Sequence, residues 1–158
     1  MLTTVIQLLA IVAVLANAVV YGTDTLAALV MRSVHAELDD RTMTITAGWG
    51  HYYADKRMPM VGISGVVTAV ATTLIAAIGG HFAAAIAAGI AVLALVSWLG
   101  VYVRVAKPIN AVQTTAAQTG IIPPNARALQ EKWDSVVNGR VALQFTAIAA
   151  LCAAIALA

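Results

Sequence analysis

The stretch FAAAIAAGIAVLALVSWLGVYV, residues 82–103, decides the fold class of this chain. It contains no charged side chain and matches the ~20 apolar residues that a helix needs to cross the hydrocarbon of a bilayer. A barrel strand is excluded because the stretch lacks apolar–polar alternation, and an open strand would leave backbone polar groups without partners in lipid. The stretch therefore predicts a transmembrane helix.

Three further stretches are equally apolar: residues 2–31, 60–78 and 141–158. The whole chain is 61% hydrophobic and 10% charged, with a mean hydropathy of +0.90, which is unlike a soluble domain of this length. No repeat and no long polar linker divides it. We expect an all-α integral membrane four-helix bundle, a single domain over residues 1–158, with two cytosolic helical connections.

The basic residues predict the topology. All nine Lys and Arg lie in two segments, residues 32–57 and 104–140, and the connection at residues 79–81 has none. The positive-inside rule then places both long connections in the cytosol and both termini outside, in a multi-pass protein of the cell (inner) membrane. Topology and lipid headgroups account for the net charge of +2, so nucleic acid has no support as a partner. A homo-oligomer is left open.

Helix signals divide the two connections. In the first, the aspartates at 39–40 cap a short helix that ends near Met58, and Pro59 opens the second span. In the second, a short helix covers residues 108–120, with a glycine stop at its end. Asn125 then caps a helix that runs unbroken into the fourth span.

Two polar stripes interrupt the apolar helices. An acid such as Asp24 costs about 2.5–3.5 kcal/mol at a helix centre, and Arg140 is its predicted partner at the same depth. These polar residues have two interpretations. In the first they are structural: the ion pair and an Asn17–Gln144 hydrogen bond hold the two helices together. In the second they form the floor of a polar pocket. The first helix carries Asn17, Tyr21, Asp24 and Arg32 at intervals of four, three and eight, and the fourth carries Trp133, Val137, Arg140 and Gln144 at intervals of four, three and four.

The stretch AGWGHYYADKRMP, residues 47–59 of the first connection, contains a tryptophan, a histidine, two tyrosines and three charged side chains between two apolar segments. With His35, its residues His51, Tyr52 and Tyr53 would lie beneath the predicted pocket floor. Histidine can move protons or bind a metal or haem iron, and tyrosine can donate a hydrogen bond to an oxyanion. No standard metal motif is present, so an interfacial helix without chemistry is the alternative.

The positions of Trp98 and His81 can be explained without a role in chemistry. Trp98 lies near the cytosolic boundary of the third helix, where aromatic rings anchor helices in the bilayer, and substrate contact is its alternative role. His81 stands alone on the outer turn, and we assign it no function.

Four short motifs give the chain a resemblance: VVYGTDTLAALVMR at 19–32, HYYADKRMP at 51–59, KPIN at 107–110 and EKWDSVVNGR at 131–140. The chain resembles the anthrone-oxygenase-like family of small four-helix membrane proteins, which includes a bacterial domain of unknown function. The resemblance implies oxidation of anthrones to anthraquinones. It places family residues at Asn110, Trp133 and Arg140, and it makes His51 the position to compare with a catalytic histidine.

The leading hypothesis is an oxygenase or oxidase acting on a lipophilic, anthrone-like aromatic that enters from the inner leaflet. The cofactor is open between haem, with His51 or His35 as axial ligand, and no cofactor. The alternative is a non-enzymatic accessory or scaffold subunit that docks through the small residues at 62–65 and 83–88; an exporter ranks last. The candidate catalytic residues are His51, Tyr52, Tyr53, Arg140 and Asp24, and the candidate substrate-binding residues are Asn17, Tyr21, Trp98, Asn110, Trp133 and Gln144.

Overall fold

The computed structural model describes residues 1–158, which form four long helices and no strand. Each helix is long and apolar enough to cross a membrane, which confirms the prediction of an all-α chain with four long apolar helices. The helices are α1 (Leu2–Glu37), α2 (Asp40–Ile78), α3 (Phe82–Thr119) and α4 (Ala126–Leu157).

The buried positions of α1 and α4 recur at alternating intervals of four and three. This period of 3.5 residues keeps one seam of a helix against its neighbours and is typical of helices that pack at small angles. Several seam positions hold polar residues rather than aliphatic ones. The seam of α1 is Ile6, Ala10, Ala13, Asn17, Val20 and Asp24, and that of α4 is Ala126, Gln130, Trp133, Val137, Arg140, Gln144, Ala147, Leu151 and Ala154.

Helix α2 begins where the sequence predicts and does not end where it predicts. The Asp39 carboxylate accepts a hydrogen bond of 3.0 Å from the backbone N–H of Thr42, as an N-cap residue does. The predicted break between Met58 and Pro59 is wrong, because Pro59 lies inside one continuous helix. Proline there removes a single hydrogen bond, to the carbonyl of Asp55, and the rest of the helical ladder remains.

Helix α3 also continues past its predicted end. A π-helical segment, Tyr102–Ala106, joins the third span to the helix predicted to start separately at Pro108. The glycine stop is confirmed, since Gly120 adopts φ +71° and its N–H donates to the carbonyl of Ala116 at 2.8 Å. Helix α4 runs unbroken to Leu157, as predicted.

A second π-helical segment, Ala27–Met31, changes which side chains α1 buries. Counting the seam onward from Asp24 would bury Val34, yet Val34 is 41% exposed and His35 is 8% exposed. The wider turn of a π-helix accommodates one extra residue and rotates the chain that follows it. Arg32 is exposed, so the prediction that it shares the buried side of Asp24 is wrong.

Contacts between Cα atoms divide the chain into two compact units. The apolar unit comprises Met1–Gly22, Pro59–Trp98 and Ala142–Ala158, and the polar unit comprises Thr23–Met58 and Leu99–Val141. The candidate residues His35, His51 and Trp133 belong to the polar unit.

Small residues allow close packing in the apolar unit. Its main core cluster is dominated by alanine and leucine. Gly65 makes room for an amide, because a Cβ at that position would lie 2.8 Å from Asn17 Nδ2. Ala84, Ala85, Ala87 and Ala88 are all buried in the core of this unit.

The polar unit is held together by a close helix contact and by one arginine. A Cβ at Gly48 of α2 would lie 2.1 Å from the backbone oxygen of Gln113 of α3, so only glycine fits this crossing. Arg127 of α4 donates to the carbonyls of His35 and Leu38 at 2.9 and 2.7 Å and pairs with Asp40 at 2.8 Å. It thereby joins the end of α1 to the start of α2.

Candidate functional site in the polar unit

The polar unit contains a partly open cavity of about 120 Å³ whose lining includes two histidines. Residues of α1, α2 and α4 form its walls, and most of the lining atoms are apolar. The lining residues are Ala27, Met31, Arg32, His35, Ala47, His51, Gln130, Trp133 and Asp134.

His35 lies in the wall formed by α1. Its side chain is buried, and its Nε2 atom has no hydrogen-bond partner. Burial lowers the pKa of His35, while the nearby Asp134 carboxylate partly opposes that effect. We infer a neutral imidazole at pH 7.

His51 lies in the wall formed by α2, before the apolar part of that helix. Its ring centroid is 5.6 Å from that of Trp133. Burial lowers the pKa of His51 to about 4, against a smaller opposing effect of Asp55, so its imidazole is neutral at pH 7. Gln113 lies near enough to raise this pKa slightly, although its Oε1 atom makes no hydrogen bond of normal geometry.

Trp133 is oriented by a chain of hydrogen bonds that joins three helices. Its indole Nε1 donates to Asn110 Oδ1 at 3.0 Å, and Asn110 Nδ2 donates to Asp55 Oδ1 at 3.4 Å. The Tyr102 hydroxyl donates to the same carboxylate oxygen at 2.8 Å. Asn110 and Trp133, which the resemblance singled out, are therefore direct partners.

The ion pair predicted between α1 and α4 is present. Arg140 Nη2 lies 2.6 Å from Asp24 Oδ1, and both side chains are more than nine-tenths buried. The Arg140 guanidinium also lies over the rings of Trp133 and Tyr102, at 5.3 and 5.8 Å from their centroids. The predicted contact is confirmed, and it places a buried cation behind the indole wall of the cavity.

A chain of amides completes the site, and the sequence analysis missed it. Gln113 Nε2 donates to Gln130 Oε1 at 2.9 Å, and Gln130 Nε2 donates to Asp134 Oδ1 at 3.0 Å. The stripe identified on the fourth helix would have found Gln130, had it been extended three residues before Trp133. Gln113 follows Asn110 by three residues on α3, which places both on one helix face.

Tyr52 and Tyr53, two of the candidate catalytic residues, do not line the cavity. They form an aromatic cluster with Trp49, and Tyr53 and Trp49 are exposed. The Tyr52 hydroxyl bonds Lys56, and Arg57 lies over the Tyr53 ring at 4.9 Å. This aromatic and cationic cluster is typical of side chains at a membrane interface.

Four candidate substrate-binding residues lie in the apolar unit and not in the cavity wall: Asn17, Tyr21, Trp98 and Gln144. The predicted Asn17–Gln144 hydrogen bond does not form. Asn17 Nδ2 donates instead to the carbonyl of Ala13 at 2.8 Å, and Gln144 Oε1 has no partner. Tyr21 lies beside Phe145, with their ring centroids 6.4 Å apart.

The residues around the cavity do not fit a haem group. A haem macrocycle is several times larger than about 120 Å³, so His51 and His35 could not both face it within these walls. No group of three or more His, Cys, Asp or Glu side chains is placed to hold a metal ion. The cavity wall instead consists almost entirely of apolar atoms, and Trp133 is among the lining residues.

The resemblance to the anthrone-oxygenase-like family stays a prediction. In comparisons with known proteins, the chain matches no family model, no curated protein and no solved structure.

Proposed function

We propose that the chain is a multi-pass protein of the inner membrane, a four-helix bundle with both termini outside and both long connections in the cytosol. Support comes from four helices of sufficient length and apolarity and from the confinement of every Lys and Arg to residues 32–57 and 104–140. The polar unit contains all nine of these basic residues, and its cavity would then open on the cytosolic side.

We further propose that the protein is an oxidase or oxygenase that binds a lipophilic aromatic ring in the cavity. The observation that carries this proposal is the convergence of His35, His51 and Trp133, from three helices, on one partly open and largely apolar space. Such a space with a few convergent polar groups is the usual form of a small-molecule site.

The volume of the cavity limits the part of a substrate that can enter. A dry cavity of about 150 Å³ in another protein binds benzene. The cavity here, at about 120 Å³, suits one aromatic ring. A three-ring anthrone exceeds it, and only one ring of such a molecule would be enclosed.

The chemistry proposed for the site begins with proton removal. His51, next to the Trp133 face, would accept a proton from an aromatic hydroxyl or an activated C–H group. The resulting anion is electron-rich and can reduce dioxygen. For an anthrone-like methylene, the balanced outcome is CH₂ + O₂ → C=O + H₂O. Arg140, behind the indole, would stabilise the developing negative charge.

The scaffold alternative has less support. Four of the six residues at 83–88 that would dock onto a partner are buried in the chain's own core. Gly65 is filled by the Asn17 amide. Most of the small residues that would dock onto another protein are therefore already packed against side chains of this chain, within the apolar unit.

The test is turnover of lipophilic phenols and anthrones in membranes that contain matched amounts of each variant. We expect His51→Ala to reduce the rate by about 10²–10⁴-fold, as is typical for the loss of a general base. The matched control is His81→Ala, which lies in the apolar unit and should retain full activity. Full activity of His51→Ala, or an inactive wild type across these substrates, would contradict the proposal.

A further inference from the structure

We propose that the aromatic and cationic cluster of α2, formed by Trp49, Tyr52, Tyr53, Lys56 and Arg57, binds the negatively charged headgroup of an anionic phospholipid. This inference goes beyond the proposed oxidation, whose site does not include these side chains. It rests on the proposed membrane placement of the chain, in which the cluster lies at the level of the inner-leaflet headgroups.

Three aromatic rings form the platform of the cluster. Trp49 packs edge-on against Tyr52, with ring centroids 5.4 Å apart and planes at 86°, and Tyr52 packs against Tyr53 at 5.1 Å and 80°. Trp49 and Tyr53 are nevertheless 40% and 48% exposed. Exposed tryptophan and tyrosine are enriched where a membrane meets water, because the rings have an apolar body and a polar edge. The platform therefore suits the headgroup level of a bilayer.

Two cations are held on this platform. Lys56 Nζ lies 3.8 Å from the centroid of the Tyr52 ring and donates to the Tyr52 hydroxyl, and the Arg57 guanidinium lies 4.9 Å from the centroid of Tyr53. Each contact joins residues four apart, so both charges are restrained on the same turn of α2. Side chains that are already restrained lose less conformational entropy when they bind an anion.

No carboxylate of the chain neutralises these two cations. Both side chains are exposed, and neither takes part in the two ion pairs of the chain. The adjacent acid, Asp55, accepts hydrogen bonds from Tyr102 and Asn110 of α3 instead. The planar guanidinium of Arg57 matches phosphate oxygens in a bidentate geometry, and an ammonium group such as that of Lys56 also binds phosphate. The cluster thus has two cations available to an external phosphate.

The residues that follow the cluster on α2 favour a lipid over a soluble anion. Exposed apolar side chains begin at Met60, three residues after Arg57, and continue with Ile63 and Val67. A molecule with an acidic headgroup and hydrocarbon chains matches this order of charged and apolar residues along one helix, whereas a soluble anion matches only the charged part. A second copy of the cluster does not fit, because its cations would meet like charges.

The test is quenching of Trp49 fluorescence by brominated lipids, measured on the full chain in nanodiscs. The chain also contains Trp98 and Trp133, so Trp49→Phe supplies the signal to subtract. The probes are brominated phosphatidylglycerol, which is anionic, and brominated phosphatidylcholine, which has no net charge. We expect wild type to prefer the anionic lipid, with a contribution of roughly fivefold from each of the two basic side chains.

Variants separate the cluster from the general positive charge of the chain. Lys56→Gln and Arg57→Gln should each weaken the preference by roughly fivefold. Lys132→Gln is the matched control, since it removes an exposed lysine that has no ring contact, and it should leave the preference unchanged. Tyr53→Leu retains Arg57 without its platform and should weaken the preference by about two- to fivefold. Tyr53→Phe retains the ring and should behave as wild type.

Three results would overturn the inference. The first is equal quenching of wild type by both lipids. The second is an effect of Lys132→Gln as large as that of Lys56→Gln, which would show attraction by net charge without a specific surface. The third is loss of the preference when inorganic phosphate is added at constant ionic strength, which would assign the cluster to free phosphate.

The measurement is independent of turnover and of orientation, because a nanodisc presents the same lipids on both faces. The inference and the proposed function therefore fail separately. Oxidation of aromatics by a chain that shows no lipid preference supports the proposed function and overturns the inference. A preference for the anionic lipid that depends on Lys56 and Arg57 supports the inference, whether or not the chain oxidises aromatics.

Discussion

At the scale of single residues, the polar unit contains one buried ion pair and one exposed pair, and their contributions to stability should differ. The Asp24–Arg140 pair is more than nine-tenths buried, whereas the side chains of Arg127 and Asp40 are 35% and 56% exposed. Removing one partner of a buried pair leaves an uncompensated charge, while an exposed pair loses only a screened interaction.

We therefore expect Asp24→Asn to lower the free energy of unfolding by about 3–5 kcal/mol, and Asp40→Asn to lower it by about 0–1 kcal/mol. The measurement is denaturation in mixed micelles, followed by circular dichroism. A double-mutant cycle with Arg140→Gln should show a strong coupling free energy. Additive losses in that cycle would mean that the contact does not stabilise the fold.

His51 makes stability depend on pH. Its pKa in the folded state is about 4, below the ordinary histidine value of 6.5, because burial disfavours the charged form. The unfolded chain thus binds more protons between these values, so stability is complete above pH 6.5 and falls as the pH is lowered towards 4. The difference corresponds to a loss of about 3 kcal/mol for this one group.

Unfolding free energies of wild type and His51→Gln at pH 7 and pH 4.5 measure this effect. We expect His51→Gln to reduce the difference in unfolding free energy between pH 7 and pH 4.5. Burial also lowers the pKa of His35, so His35 should account for the part of the difference that remains. His81→Gln is the control and should behave as wild type. An unchanged pH dependence in His51→Gln would show that His51 is not desolvated in the folded chain.

At the scale of elements, two glycines on α2 have opposite surroundings within half a turn. A Cβ at Gly48 would overlap the backbone oxygen of Gln113 at 2.1 Å and the Cβ of Ala117 at 2.7 Å. A Cβ at Gly50 would have no atom within 4 Å. The crossing of α2 and α3 thus depends on glycine at one of the two positions only.

We expect Gly48→Ala to destabilise the chain by about 1–3 kcal/mol, since the helix backbones must separate. Gly50→Ala should stabilise it by about 0.5–1 kcal/mol, because alanine is the better helix former and has room. The same denaturation experiment measures both. Equal effects of the two substitutions would show that α2 and α3 do not cross at Gly48.

At the scale of the whole molecule, the proposed orientation in the membrane rests on the distribution of charge alone and can be tested without knowledge of the function. In a Cys152→Ala background, His81→Cys should react with an impermeant thiol reagent added outside intact cells. Lys56→Cys should react only after the membrane is made permeable. Labelling of residue 56 from outside would reverse the proposed topology.

The sequence by itself determined the helical class, the four apolar helices, the Gly120 stop and the Asp24–Arg140 partnership. These depend on hydrophobicity, on glycine's access to positive φ and on the cost of an unpaired charge in lipid, and each acts locally or leaves one plausible partner. Continuity of α2 through Pro59 could not be predicted, because one lost hydrogen bond can be outweighed by the packing of the whole helix.

Only the tertiary structure decided which candidate side chains meet. The π-helical segment Ala27–Met31 rotates the end of α1 and buries His35 in place of Val34, which no count of helical intervals anticipates. Packing of three helices then brings His35, His51 and Trp133 to one cavity and leaves Tyr52 and Tyr53 outside it. The physical reason is that a shift of one residue turns a helix face by about 100°. Such a shift is set by packing against neighbouring helices, and the sequence of a single segment does not contain that information.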